Sequence, residues 1–523
     1  MSRFILFISK TFIPVITVLL QITLFFIILL EFRDYLIVFY AVSYLFSFAC
    51  VLWIVNNRMN PGFKIVWLII ILTFPFLGIA IYLFYGGKKS GKKMHTKLDS
   101  IYSEMQLNFL EDKDELLKKL QEDNPNAWLQ ANYIRQKSLC PLYDNSTCTY
   151  YSPGEKVYPV ILEELKKAKE YIFLEFFIID HGVFWDSVLA ILQEKVQRGL
   201  DVRLIYDDMG NVFTLPPHFD RKLEALGIKC RAFNPFVPII SSSLNYRDHR
   251  KILLIDGKTV FTGGINLADE YINEIVKFGY WKDSTVMIRG EAVWSFIVMF
   301  LSTWNYLSKS KEDASVFRRN TMTDDTTVPD DTTVPDGTDA KTGFLQPYAD
   351  TPLDYEGVSE TVYLNLINRA TRYLYIMTPY LVIDNEMTTA LCNAAKSGVD
   401  VRLITPHIPD KKLVHMMTRS FYPLLLEGGV KIYEYTPGFI HSKVFIADDC
   451  YGIVGTVNLD YRSLYLHFEC GVWMYRKEAL IDIKKDFIET LKVSEEILLE
   501  NSRSRHWYIR LASSVMRIFA PLF

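Results

Sequence analysis

The chain has 523 residues, and its 57 Lys and Arg side chains almost balance its 60 Asp and Glu side chains. Half of the residues are hydrophobic, which is enough for both a buried core and membrane segments. The small net charge of −3 does not favour a nucleic-acid-binding protein. The seven cysteines are scattered without a Cys-x-x-Cys pair, which favours neither a disulfide scaffold nor a zinc site.

Three apolar stretches occupy the N-terminal region, residues 1–86, at about 11–30, 35–55 and 65–85. Each lacks charged residues over about the thickness of a bilayer, so we predict three transmembrane helices. A basic flank follows the third stretch at Lys88, Lys89, Lys92, Lys93 and Lys97. Positive residues favour the cytoplasmic side of a membrane. The sequence therefore predicts a multi-pass protein of the cell membrane whose remaining residues lie in the cytoplasm.

A charged, helical connector is predicted for residues 87–135, and two similar lobes follow at 136–312 and 344–498. The segment Gly199–Ile205 matches Gly398–Ile404 almost letter for letter. In both halves a helical stretch separates this segment from an earlier β-rich segment, which indicates parallel β-α-β units. We therefore predict an α/β fold with two lobes related by a pseudo-twofold axis.

Each lobe carries one copy of the pattern H-x-K-x4-D-x6-G-x-x-N. The first copy contains His249, Lys251, Asp256, Gly263 and Asn266, and the second contains His441, Lys443, Asp448, Gly455 and Asn458. The whole chain has only nine histidines, so the identical spacing is unlikely to be accidental. We predict a short strand after each histidine, with a turn at its aspartate.

This set of residue types suits the cleavage and formation of a phosphodiester. One imidazole can attack phosphorus and form a phosphohistidine, and the second can protonate the leaving oxygen and then deprotonate the incoming hydroxyl. Lysine charges and amide donors can stabilise the phosphate without a metal or another cofactor. The predicted catalytic residues are His249, Lys251, Asp256, His441, Lys443 and Asp448. The symmetry of the pattern leaves open which histidine is the nucleophile.

A second group of residues is predicted to bind the phosphate or to orient the histidines: Asn266, Asn458, Gly264, Thr456, Asp283 and Glu469. Asp283 and Glu469 occupy matching places downstream of the two motifs. A carboxylate on the far ring nitrogen would fix the tautomer of each histidine. The alternative is that both are ordinary strand acids.

Two segments outside the lobes have distinctive compositions. Residues 313–343 repeat an acidic, proline-punctuated sequence without an apolar period, so we predict a disordered linker. Residues 499–523 place arginines and apolar side chains at helical spacing. This pattern is typical of a basic amphipathic helix, either at an anionic membrane surface or docked on the protein itself.

The doubled motif resembles the phospholipase D superfamily, and further segments resemble bacterial cardiolipin synthases. These segments are Asn60 to Trp67, Gln346 to Asp354 and Asp460 to Ser463. One departure is His467, where the family usually has asparagine. The resemblance implies that one phosphatidylglycerol gives its phosphatidyl group to another, producing cardiolipin and glycerol. It also implies that His249 is the nucleophile and His441 the acid and base.

Other functions remain compatible with the motif. A phospholipase D would pass the same phosphatidyl group to water, and a phosphatidylserine synthase would pass it to serine. A non-enzymatic membrane scaffold would be expected to lose a motif residue, and none is lost. The sequence leaves open whether the second lipid is phosphatidylglycerol or phosphatidylethanolamine, and whether the chain forms a homo-oligomer.

Overall fold

The computed structural model describes residues 36–86, 114–236, 245–318, 343–503 and 507–522, with scattered positions at 19–30 and 94–101. Most of the predicted span 11–30 and residues 319–342 of the predicted linker lie outside the described residues. The described part of that linker contains the short helix Ser315–Arg318.

The N-terminal helices are α1 (Leu36–Val55), α2 (Pro61–Thr73) and α3 (Pro75–Ile81), and a π-helical turn follows at Tyr82–Gly86. The predicted span 65–85 is therefore not one continuous helix. Pro75 disfavours helical geometry in the residue before it, and Phe74 accordingly has φ −128° and ψ 77°. Within the described residues, no helix combines the length and the apolar character needed to cross a membrane. The three spans stay a prediction.

The two connector helices are α4 (Asp114–Asp123) and α5 (Pro125–Lys137), so the predicted boundary at 135 falls inside a helix. The strands of the first lobe are β1 (Thr147–Tyr151), β2 (Tyr171–Phe176), β3 (Asp201–Asp207), β4 (Lys229–Phe233), β5 (Arg247–Asp248), β6 (Ile252–Ile255), β7 (Thr259–Gly263), β8 (Tyr280–Lys282) and β9 (Thr285–Arg289). Its helices are α6 (Gly154–Lys167), α7 (Val183–Gln197), α8 (Phe219–Ala225) and α9 (Val293–Ser308), with a 3-10 turn at Asp269–Ile272. The helix of the linker is α10 (Ser315–Arg318).

The second lobe repeats this arrangement. Its strands are β10 (Phe344–Asp350), β11 (Tyr373–Met377), β12 (Leu381–Val382), β13 (Asp400–Pro406), β14 (Lys431–Tyr435), β15 (Gly438–Ile440), β16 (Val444–Ala447), β17 (Tyr451–Gly455), β18 (Leu459–Asp460), β19 (His467–Tyr475) and β20 (Ser494–Ile497). Its helices are α11 (Val358–Arg369), α12 (Asn385–Lys396), α13 (Lys412–Glu427), α14 (Tyr461–Tyr465) and α15 (Ala479–Lys492).

The two main sheets have matching strand orders. The first runs β1-β9-β7-β6-β2-β3-β4, and the second runs β10-β19-β17-β16-β11-β13-β14-β20. In both, the β-α-β unit predicted from the repeat is parallel, with β2 beside β3 and β11 beside β13. The prediction of two similar α/β lobes is confirmed.

Apolar side chains from both lobes form one continuous core between the sheets. Helix α9 lies inside this core, and every residue from Val293 to Asn305 is buried. Burial of this much apolar surface stabilises the packing of one lobe on the other, since the gain is proportional to area. The lobes therefore form a common structure rather than two independent domains.

The chain ends with helices α16 (Leu499–Arg503) and α17 (Trp507–Phe519) and a 3-10 turn at Ala520–Leu522. Helix α17 packs against α13 and α2. The Arg517 guanidinium lies 4.3 Å from the centre of the Phe421 ring. One side of the predicted amphipathic tail is thus docked on the protein, while Trp507 and Leu511 remain exposed. Contact of these exposed side chains with lipid stays a prediction.

Candidate active site

Each histidine motif is attached to the opposite lobe by main-chain hydrogen bonds. Strand β5, directly before His249, runs parallel to the start of β19. The His249 amide donates to the Phe468 carbonyl at 2.9 Å, and the His441 amide donates to the Lys282 carbonyl at 2.7 Å. Strand β15, directly before His441, runs parallel to β8 in the same way. Because β5 and β15 each pair with a strand of the opposite lobe, both motifs lie at the interface between the lobes.

This strand pairing between the lobes places the acid of each lobe against the histidine of the other. His249 Nδ1 lies 2.9 and 3.0 Å from the two carboxylate oxygens of Glu469. His441 Nδ1 lies 2.6 Å from Asp283 Oδ2. Because a carboxylate only accepts, each Nδ1 carries the proton and each Nε2 keeps its lone pair. The predicted orienting acids are at the histidines, in a crossed pairing that the sequence did not specify.

The residues Gly264 and Thr456 each lie against one of these acids. The Thr456 hydroxyl donates to Glu469 Oε2, and its amide donates to the Cys470 carbonyl at 2.9 Å. A Cβ atom on Gly264 would lie only 2.0 Å from Asp283 Oδ1. Glycine is therefore required beside Asp283, whereas Thr456 helps to fix Glu469.

The two motif lysines are buried and point back to the histidines. Lys251 Nζ donates to the His249 carbonyl, and Lys443 Nζ donates to the His441 carbonyl. Burial lowers the pKa of Lys251 to about 8 and that of Lys443 to about 7. The strands predicted after each histidine begin at Ile252 and Val444, so each lysine lies immediately before its strand.

Both motif histidines are neutral in this environment. Burial lowers the pKa of His249 well below its usual value, and the charges of Lys251 and Lys443 lower it further. Burial, followed by the charge of Lys443, lowers the pKa of His441 to about 4. Each imidazole responds to charges from both lobes, which shows that the two half-sites share one electrostatic environment. A neutral imidazole is the nucleophilic form.

The motif aspartates Asp256 and Asp448 contact backbone amides beyond the strands that follow the lysines, and their catalytic role stays a prediction. Asp256 accepts hydrogen bonds from the amides of Lys169, Glu170 and Tyr171 at 2.7 to 2.9 Å. Asp448 likewise accepts from Thr371, Arg372 and Tyr373. The four-residue strands β6 and β16 separate them from the lysines. Both carboxylates fix the starts of the neighbouring strands β2 and β11.

The two asparagines have different surroundings, and contact of either with the phosphate stays a prediction. Asn266 accepts from the Ile178 amide at 3.0 Å and donates to the Tyr271 hydroxyl at 2.8 Å. The Tyr271 ring lies 5.5 Å from the His441 ring. Asn266 therefore positions a neighbour of His441. Asn458 is buried, and its Oδ1 has no hydrogen-bond partner among the described residues.

Several residues of the site were not predicted. The Phe177 ring lies 5.0 Å from that of His249, and Trp281 lies 5.4 Å from His441. These rings exclude water from the imidazoles. His467 lies 5.4 Å from His249, between ring centres, and its position two residues before Glu469 was the available signal. In the described part of the chain, His249, His467 and Glu469 are the group that could hold a metal ion.

Comparison with known proteins identifies the family. The model of the "Cardiolipin synthase, PLD-like domain" family matches residues 161–286 and 363–491, one match in each lobe. The model of the "Phospholipase_D-nuclease N-terminal" family matches residues 45–87. Both histidine motifs fall inside the two matched lobe segments.

Similar proteins extend over most of the chain. An uncharacterised protein of Streptococcus mutans is 43% identical over 90% of this chain and 99% of its own length. A cardiolipin synthase of Geobacillus kaustophilus is 33% identical over 89% of this chain and 90% of its own length. The crystal structure of phosphatidylserine synthase from Haemophilus influenzae has a TM-score of 0.54 and 13% identity, covers 75% of this chain and 98% of that chain, and shows the shared fold. The chain belongs to the bacterial cardiolipin synthase family of phospholipase D-like proteins.

Proposed function

We propose that this protein is a cardiolipin synthase that works through a phosphohistidine intermediate. The observation that carries the proposal is the crossed pair of His–carboxylate contacts, 2.9 Å at His249 and 2.6 Å at His441. Each contact leaves an unprotonated Nε2 in one shared, buried site that also holds two lysines. Two imidazoles of this kind can divide the nucleophilic and acid–base roles.

In the first step, His249 Nε2 attacks the phosphorus of phosphatidylglycerol. A P–N bond forms, the P–O bond to the terminal glycerol breaks, and that oxygen takes a proton from His441. The bound phosphodiester is an anion, and its charge raises the pKa of His441 so that the imidazole can carry this proton. The paired acid Asp283 stabilises the resulting imidazolium.

In the second step, His441 removes a proton from the glycerol hydroxyl of a second phosphatidylglycerol. That oxygen attacks phosphorus, the P–N bond breaks, and cardiolipin is released. Lys251 and Lys443 stabilise the charge on the phosphate oxygens in both steps. The assignment of His249 as the nucleophile rests on resemblance, because both half-sites present a neutral imidazole.

The membrane position of the protein is part of the same proposal. Helix α1 contains no charged residue in its first or last turn, and Leu45 and Phe46 on it are about two-thirds exposed. We propose that the N-terminal region anchors the lobes at the cytoplasmic face, where phosphatidylglycerol is presented. Reporter fusions after residues 34 and 60 would test this topology, since each reporter is active on only one side of the membrane.

Product identification tests the reaction. Purified full-length protein in vesicles with labelled phosphatidylglycerol should give cardiolipin and glycerol in equal amounts, and prior treatment with a chelator should leave this activity. Phosphatidic acid as the main product would show transfer to water instead. Addition of phosphatidylethanolamine or serine should not redirect the label, and redirection would identify a different acceptor.

A further inference from the structure

The side chain of His467 is a buried imidazole that the reaction does not use. It is 10% exposed, and its Nδ1 lies 3.6 Å from Glu469 Oε1. Neither ring nitrogen has a hydrogen-bond partner among the described residues. Buried polar groups usually have partners, so two unpaired ring nitrogens beside a carboxylate point to an additional ligand.

The side chains of His249, His467 and Glu469 have the chemistry of a metal site. The nearest ligand atoms of His249, His467 and Glu469 all lie within 4.8 Å of one another. The donors of a tetrahedral zinc ion with bonds of about 2.0 Å are about 3.3 Å apart, so the most distant pair of ligand atoms would have to approach by up to about 1.5 Å to close the site. Two imidazoles and one carboxylate suit Zn²⁺ and similar transition metals better than Mg²⁺ or Ca²⁺.

The other half-site offers a direct internal comparison. The residue two positions before Asp283 is Trp281, which corresponds to His467 but has no metal-binding atom. His441 and Asp283 therefore form only a two-membered pair. The asymmetry confines the candidate site to the half-site of His249.

We propose that His249, His467 and Glu469 bind one divalent transition metal ion such as Zn²⁺, and that this ion inhibits the enzyme. The ion would take the place of the proton on His249 Nδ1 and end the hydrogen bond to Glu469. A dication on the ring opposes the positive charge that develops when Nε2 attacks phosphorus. The inhibition rests on the proposed function, whereas the binding does not.

Metal binding is measured first, on metal-depleted full-length protein in detergent. Visible absorption on addition of Co²⁺ and calorimetry with Zn²⁺ should show one tight site per chain. His467→Asn should raise the Kd for both ions at least about tenfold, as expected for loss of one ligand. His467→Phe should raise the Kd for both ions by a similar factor. Because phenylalanine keeps a ring of similar bulk, this variant distinguishes loss of the ligand from misfolding.

The matched control is His407→Asn, because His407 also faces a carboxylate, with its Nδ1 3.0 Å from Glu434. This variant should bind Co²⁺ as the unmodified protein does. Absence of tight binding by the unmodified protein would overturn the proposal. Binding that survives both His467 substitutions, or that is lost in His407→Asn instead, would also overturn it.

Inhibition is then measured as the ratio of activity with and without Zn²⁺ in the same variant. The Zn²⁺ concentration for half inhibition should rise at least about tenfold in His467→Asn, in step with the Kd, and a chelator should restore activity in the unmodified protein. Zn²⁺ that binds at this site without inhibiting would overturn the inhibitory part of the proposal. If no phospholipid substrate is turned over, the proposed function fails, and the Co²⁺ measurement still tests the site.

Discussion

The two half-sites reach the same His–carboxylate contact by different routes. His249 is held by Glu469, whose longer side chain is fixed by the Thr456 hydroxyl. His441 is held by the shorter Asp283, which lies so close to Gly264 that no side chain fits there. The length of the acid and the size of its neighbour are therefore linked in each half-site.

The comparison also shows why neither lobe is an active site by itself. Glu469 lies near the start of β19, which pairs with β5 of the other lobe, and Asp283 directly follows β8, which pairs with β15. A displacement of one lobe would break both His–carboxylate contacts at once. Duplication of the lobe thus produces one site with two related but unequal halves.

Removal of either imidazole is the largest expected change. His249→Ala and His441→Ala should each lower kcat by at least about 10³-fold, because both rings act in one covalent cycle. His218→Ala is the control, since this histidine is exposed and has no place in the site. A labelled-lipid assay measures the kcat of each variant. Near-normal turnover in either site variant would rule out the two-histidine mechanism.

Gly264→Ala is expected to damage the half-site of His441. The new Cβ would lie 2.0 Å from Asp283 Oδ1 and would displace the acid from His441. We expect a loss of about 10²-fold in kcat, smaller than the loss of about 10⁴-fold on replacing the orienting acid of a catalytic histidine, because Asp283 is displaced but still present. The kcat of the folded, purified variant provides the measurement. Retention of full activity would show that the Asp283 contact is not needed.

The basic limb of the pH profile should separate the two lysines. Lys443 has the lower pKa, about 7, and Lys251 has about 8. A lysine is charged below its pKa, so the affinity for the phosphate anion should fall first as Lys443 loses its proton. Lys443→Arg keeps the charge and should move this limb up by about one pH unit, toward the pKa of Lys251. Lys251→Arg should move it little, and the reverse order would contradict this assignment.

Thr456→Val removes the hydroxyl that fixes Glu469 while preserving side-chain shape. One hydrogen bond to a carboxylate is lost, so we expect a decrease in kcat of about tenfold. This change should be smaller than that of Gly264→Ala, because Glu469 still contacts His249 through both oxygens. A larger loss in Thr456→Val would reverse the order that the two half-sites predict.

The motif aspartates should affect stability much more than chemistry. Asp256→Asn weakens three charge-assisted bonds to backbone amides, and we expect the free energy of unfolding to fall by about 1 to 3 kcal/mol. Asp448→Asn should behave alike. Thermal unfolding and the kcat of the folded fraction measure the two effects. A large loss of kcat without destabilisation would show that these aspartates have a catalytic role.

The sequence predicted those features that have a local or repeated signal. The repeat around Gly199 and Gly398 indicated the β-α-β units, and the identical spacing of the motifs indicated His249 and His441. It did not indicate that Asp256 and Asp448 hold the starts of neighbouring strands, because identical spacing in two motif copies does not distinguish a catalytic group from one that fixes a strand. The crossed pairing of Asp283 and Glu469 depends on contacts between the lobes, which the sequence does not contain.

Detection of the phosphohistidine provides the most direct test of the two-histidine mechanism. The protein would be mixed with labelled phosphatidylglycerol, quenched under denaturing conditions that preserve phosphoramidates within one turnover, and digested to locate the label by mass spectrometry. The two-histidine mechanism predicts label on His249, slower labelling of the same residue in His441→Ala, and none in His249→Ala. Label on His441, or the absence of any covalent label during a productive turnover, would contradict it.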